Sequence, residues 1–410
     1  MFRYLVLIQP LGLMYGSAGN FLSSDNLVGR SGRKFPPDAA TLSGLILSTS
    51  QNQQDTDYSP LKRNLHVTGP FWAYTSSPER FYLPLPRIYT FGEHNYKTLG
   101  WRDRRWYDYA TAEQSVYKLK SEYTWQRVDC WGYPPEVLHQ QRQIYNKRKE
   151  RKELTEGELP PIETQPWEFV STLHPKMEVD ERHVEDGGLF LEYAVQVPEG
   201  CGIVYLSTHA VEDGWYRFGG ENHLVELSCQ ELSESSTISQ LLRQPIKQTA
   251  ALITPGVWGD RQLSYRYPLH PDFPKNKRPN MVTDRPVPYR YRLGASTKTA
   301  NTEIEQHSAT GADSVEAQTG QAEIGSQQHN RLSIGRYAVP SGSVYAFGKP
   351  LPEDKNTWWQ FPADWFPADG ASSFSLKHLG VNLCLPIEIP DFEPASSAIA
   401  EVEDFEDVEE

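Results

Sequence analysis

The first fifty residues constrain this chain more than any other stretch. Leu5-Val6-Leu7-Ile8, closed by Pro10, reads as a buried strand. A loop over 12–34 follows, with Gly29 and Gly32 among the cations Arg30, Arg33 and Lys34. Pro36-Pro37 stops that loop, and a short apolar helix is expected from about 39 to 49, with Asp38 as its N-cap. Gly69-Pro70-Phe71-Trp72-Ala73-Tyr74 and Phe81-Tyr82-Leu83-Pro84-Leu85-Pro86 are strand-like pieces around a turn. Each X-Pro step in the second piece pushes the backbone toward extended conformations. The order predicts a βαβ-type opening with elaborated connections. A flexible cationic loop ending at a helix start also suits a phosphate-bearing partner.

The rest of the chain is punctuated in the same way. With 31 prolines and 29 glycines in 410 residues, and 12% aromatics, strands and irregular connections are favoured over helix bundles. No run approaches the roughly 18–20 apolar residues that span a bilayer, and the N-terminal run is too short for a signal peptide. No membrane association and a cytoplasmic location are therefore expected. Cys130, Cys201, Cys229 and Cys384 are widely spaced and form no CxxC pair, so reduced structural thiols are expected rather than a zinc site. The net charge of −13 is unevenly distributed. Residues 1–152 carry 21 Lys/Arg against 13 Asp/Glu, whereas 388–410 carry ten acidic residues and no basic ones. Screening limits the reach of charge to about 10 Å, so the basic first half remains compatible with RNA.

Two segments read either way. Trp101-Arg102-Asp103-Arg104-Arg105-Trp106-Tyr107 is either a packed aromatic cluster with solvated arginines or a surface that clamps phosphates and stacks bases. The charged helical candidate 136–154, ending Lys147-Arg148-Lys149-Glu150-Arg151-Lys152, is either a solvated face of an inserted hairpin or a basic prong. A first domain over 1–166, with this insert at 136–166, and a second over 167–392 are expected. In the second, strands are read at 186–195, 202–208 and 224–227, with Gly219-Gly220 between the last two. Residues 296–330 and the acidic tail 393–410 lack the apolar content to repay ordering and are expected to be disordered.

Four pieces occur in one order: Lys34-Phe35-Pro36-Pro37, Tyr82-Leu83-Pro84-Leu85-Pro86, Phe218-Gly219-Gly220-Glu221 and Val339-Pro340-Ser341-Gly342-Ser343-Val344-Tyr345. With Ile8-Gln9-Pro10-Leu11-Gly12 and Leu252-Ile253-Thr254-Pro255-Gly256, this order resembles the RAMP superfamily of CRISPR-associated proteins. Within it, the likeness is to the third-subunit family of type III-B (Cmr) effector complexes. The opening departs from the family pattern: Gly12-Leu13-Met14-Tyr15-Gly16 stands where charged residues are usual. The resemblance implies an α+β protein of two ferredoxin-like (RRM-related) domains with long inserted loops. It also implies a subunit that holds the 5′ handle of the CRISPR RNA, contacts the large polymerase-like subunit and the backbone RAMP subunits, and has no catalytic activity or cofactor.

An RNA grip needs cations, close backbone and stacking surfaces. Arg30, Arg33 and Lys34, with Arg102, Arg104 and Arg105, are the candidate cations. Gly219 and Gly220 are the candidate close-approach backbone, with His223 as a nearby donor, and Trp101, Trp106 or Tyr107 the stacking groups. The chain contains no HExxH, GxSxG, Walker A or GGDD motif. The alternative is a metal-independent repeat-processing endoribonuclease, for which His66 beside Lys62 and Arg63 is the candidate acid or base.

Overall fold

A computed structural model describes residues 1–15, 35–52, 59–103, 105–111, 121–177, 183–259, 263–268, 270, 273, 280–291, 333–368 and 374–392. The expected disordered stretch 296–330 and the tail 393–410 lie outside these residues. The architecture mixes α and β, with antiparallel sheets dominating and few helices.

The N-terminal strand β1 (Tyr4–Pro10) lies inside an eight-stranded antiparallel sheet. Its companions are β2 (Val67–Tyr74), β3 (Tyr82–Pro84), β4 (Trp125–Arg127), β5 (Ile162–Glu163), β6 (Cys201–Ser207), β7 (Gly214–Phe218) and β8 (His223–Glu231). Across the sheet the order is β7-β8-β1-β6-β2-β3-β4-β5. β1 is covered on both faces, which explains its unbroken aliphatic run. Leu5 and Leu7 pack with Phe71, Phe81 and Leu206, while Val6 and Ile8 pack with Leu42, Leu45 and Ile46 of the Ala39–Asn52 helix. Asp38 directly precedes that helix, and its carbonyl accepts from the Thr41 N–H at 2.8 Å. A short Ser59–Asn64 helix with no buried residue follows.

A second, four-stranded sheet is built from Thr249–Leu252, Asn280–Val282, Val344–Ala346 and Cys384–Pro386. Numbered in chain order, these four strands lie side by side as 4-1-3-2, all antiparallel. β1, β2, β6 and β8 at the centre of the first sheet repeat that order. Leu252, Tyr345 and Cys384 face the first sheet, whereas Ala251, Val344 and Ala346 face a hairpin that carries Leu99 and Trp101. The layers therefore run helix, first sheet, second sheet, hairpin.

These pairings do not respect the division expected at 166 and 167. β1 lies between β6 and β8, with Leu5 opposite both Leu206 and Gln230, so strands from both sides of that boundary share one sheet. The Gly/Pro-rich stretch at 157–166 ends an insertion, and the chain passes between the sheets after Glu231 and before Thr249. The insertion is anchored by the Pro135–Glu150 helix. Its Arg142 turns inward, donating to Glu163 at 2.6 Å and to the Ile162 carbonyl at 2.9 Å, with its guanidinium over the Tyr123 ring. Lys147, Lys149, Arg151 and Lys152 remain exposed.

Candidate nucleic-acid interface

A cleft of about 570 Å³ opens where the two sheets meet. Phe35, Pro36 and Asp38 come from the stretch before the helix, Gly69 and Pro70 from β2, and Pro84 and Trp125 from β3 and β4. Ile253, Thr254 and Pro255 follow the first strand of the second sheet, Ser341 lies in the turn before its third strand, and Pro288 and Tyr289 close the rim. Four pieces of the ordered sequence pattern, far apart in the chain, thus meet at one place.

Local chemistry explains each wall. The Phe35 ring meets Trp167 edge-on at 5.1 Å, and Trp167 meets Trp125 at 5.9 Å, so half-buried Phe35 and Trp125 line the aromatic side and buried Trp167 backs them. The Tyr205 hydroxyl donates to the Pro37 carbonyl at 2.6 Å and holds the double proline in place. Burial raises that phenol well above its ordinary range, so it stays a neutral donor. At Gly69 (φ +129°) a Cβ would stand 2.9 Å from the Tyr205 ring, so only glycine permits this approach. Thr254 donates to the Gly380 carbonyl at 2.8 Å and accepts from the Leu383 N–H at 2.9 Å, tying the floor to the last strand region. Among the described residues lining the cleft, Asp38 is the one carboxylate, and there is no histidine, lysine or arginine. Apolar and aromatic walls with a few hydroxyls suit stacking and shape recognition.

The sequence candidates divide into groups. Arg30, Arg33, Lys34 and Arg104 lie outside the described residues; the first three immediately precede Phe35 at the cleft. Gly219 and Gly220 are exposed in the turn joining β7 to β8, closed by the Asn222 N–H on the Gly219 carbonyl at 3.2 Å. A Cβ at Gly219 would lie 3.7 Å from Thr41, so this turn rests against the helix whose entry lines the cleft. His223 opens β8, opposite Phe218.

Arg102 and Arg105 pair across the tip of the hairpin formed by Tyr96–Arg102 and Arg105–Asp108. That hairpin packs on the far face of the second sheet, away from the helix layer. Arg102 is bonded to Asp391, which also accepts from the Tyr107 hydroxyl. Trp101 is buried and tilts against Trp106 at 4.8 Å. For these two rings the packed-cluster reading holds.

His66 stacks on His378 at 4.5 Å and meets Trp359 edge-on at 5.4 Å. Burial holds its pKa down to about 4, so the ring is neutral at pH 7 and has no proton to give as a general acid. All four cysteines are free; burial pushes Cys130 and Cys201 up to about 11 and Cys384 to about 12, leaving inert thiols. Among the described residues there is no cluster of three or more His, Cys, Asp or Glu able to hold a metal ion, and no helix long and apolar enough to cross a membrane.

Two features escaped the sequence reading. Trp125 lines the aromatic wall and Trp167 backs it, yet they lie 42 positions apart and no local pattern joins them. The second is the strand Glu168–Met177, which pairs with the expected strand at Val184–Gln196 into a ribbon on which Phe169, Leu173, Met177 and Leu189 are exposed. The aromatic and β-branched run Phe169-Val170-Ser171-Thr172-Leu173 was the available signal.

No curated protein matches the chain. Among solved structures, a chain of a type III-B Cmr-beta complex bound to cognate target RNA is 12% identical with a TM-score of 0.40, covering 83% of this chain and 86% of that one. A chain of a Csm1–Csm4 cassette in complex with pppApA is 12% identical with a TM-score of 0.33, covering 96% and 100%. A chain of a type III-A Csm3–Csm4 subcomplex is 10% identical with a TM-score of 0.33, covering 85% and 98%. The family model for CRISPR-associated protein (Cas_Cmr3) matches residues 8–388. The chain therefore belongs to the Cas_Cmr3 family of CRISPR-associated proteins.

Proposed function

We propose that this chain is a non-catalytic RNA-holding subunit of a type III-B effector complex, and that the cleft between its sheets takes the 5′ handle of the CRISPR RNA. Both sheets are read as ferredoxin-like (RRM-related) units, on the support of their shared 4-1-3-2 strand order. The helical connections usual for such units are reduced: the first sheet keeps the Ala39–Asn52 helix, and the second uses short 3₁₀ turns such as Leu376–Leu379. Handle bases stack against the Phe35–Trp125 wall, while Arg30, Arg33 and Lys34, next in the chain, neutralise phosphates. The large polymerase-like subunit and the backbone RAMP subunits are the expected protein neighbours.

The observation that carries this reading is the convergence of Phe35-Pro36, Pro84, Ile253-Thr254-Pro255 and Ser341 on one aromatic-walled cleft. Replacing Arg33 and Lys34 with Ala is expected to weaken binding of handle RNA and to reduce the slope of log affinity against log salt by up to about two. An unchanged slope removes both residues from the site.

A further inference from the structure

The face of the first sheet that bears Leu5 and Leu7 is covered by the second unit, but the cover ends before the sheet does. Beyond it, the same face continues through Leu11, Leu224, Arg217 and Trp215. Trp215 is 74% exposed, the largest exposure of any bulky apolar side chain described, and Leu11 and Leu224 are each about half exposed. Arg217 lies directly across from Leu224 and Glu226 across from Trp215, so aromatic, aliphatic and charged groups form one contiguous patch. A Trp and an Arg beside aliphatics is the composition of a protein-binding hot spot.

The backbone adds a second, independent observation. β7 is the outermost strand, and among the described residues no strand pairs with its outer edge. Over Gly214–Phe218 it has no proline, no bulge and no lysine to block edge pairing, and Arg217 is its one charged side chain. A row of unpaired N–H and C=O groups is complementary to one kind of chain, another extended polypeptide.

We infer that β7 accepts an extended segment of a neighbouring protein subunit as an added ninth strand, with an apolar side chain of that segment seated on Trp215 and Leu224. This inference rests on reading the chain as one subunit of a multiprotein assembly, but not on the RNA cleft. It assigns the Trp215 face to protein and leaves RNA to the opposite, helix-side end of the Gly219 turn.

The test is amide hydrogen exchange on the full chain, alone and within the purified effector complex. Exchange over 214–218 is expected to slow by at least about tenfold on assembly. Trp215→Glu and, separately, Arg217→Glu are expected to yield complexes lacking one protein neighbour by native mass spectrometry. Both side chains are exposed, so folding is retained, and affinity of the isolated variants for handle RNA stays that of the parent. Unchanged exchange over 214–218, or full subunit stoichiometry in both variants, overturns the inference. So does crosslinking of Trp215 to RNA. Loss of RNA binding with the neighbour retained in both variants would overturn the inference and strike the proposed cleft as well.

Discussion

Replacing Gly342 with Ala tests how the two sheets are joined at the cleft. Gly342 has φ +84°, where an L side chain costs about 1–2 kcal/mol. A Cβ there would lie 2.6 Å from the Leu85 carbonyl oxygen, a backbone atom that cannot swing aside. To relieve that clash, two short bonds must lengthen: the Gly342 N–H to the Leu252 carbonyl at 2.7 Å, and the Arg87 N–H to the Gly342 carbonyl at 2.8 Å. At about 1 kcal/mol each, they bring the expected loss to about 3–4 kcal/mol, a factor of about 10²–10³ in the unfolding equilibrium. Urea unfolding at constant slope measures it. The control is Gly44→Ala, in the exposed middle of the Ala39–Asn52 helix with nothing within 4 Å of its Cβ. That change is expected to stabilise by about 0.5–1 kcal/mol. A Gly342→Ala loss below about 1 kcal/mol would refute the clash and the tight joint it describes.

Arg142→Met leaves Glu163 partly buried without its cation and should cost on the order of 3 kcal/mol, whereas Lys147→Ala with Lys149→Ala, both exposed, should stay within about 0.5 kcal/mol; thermal melts compare them, and equal effects would contradict the inward role of Arg142. Because the folded-state pKa of His66 is lowered to about 4, the unfolded chain binds that proton first. Stability is then complete above about pH 6.5 and is lost as pH falls toward 4. A His66→Gln variant should show a flatter loss over that window, and an identical slope would place the ring in solvent.

Local features were legible in the sequence because they depend on neighbours in the chain. The aliphatic run Leu5–Ile8, the Pro36-Pro37 stop and the apolar spacing after Asp38 each became the element expected of them. What the sequence hid was long-range. Tyr4–Pro10 finds its partners about 200 residues away, so the Gly/Pro-rich stretch near 160 looked like a boundary when it closes an insertion. Arg102 reads as a solvated cation until Asp391 is brought beside it, 289 residues later. Arg142 sits in a strongly charged helix, and only the Glu163 strand shows which of its cations faces inward. The cleft was visible in pieces: the motif segments were recognised one by one, but their meeting with Trp125 depends on the packing of the two sheets.

The most direct measurement is crosslinking from handle RNA carrying photoreactive bases, within the assembled complex, followed by peptide mapping. If aromatic walls between the sheets seat the leading end of the guide, adducts should fall on peptides containing Phe35, Trp125 and Tyr289. Adducts confined to the Arg102–Arg105 hairpin or to the Pro135–Glu150 helix, with those three peptides unmodified, would contradict it.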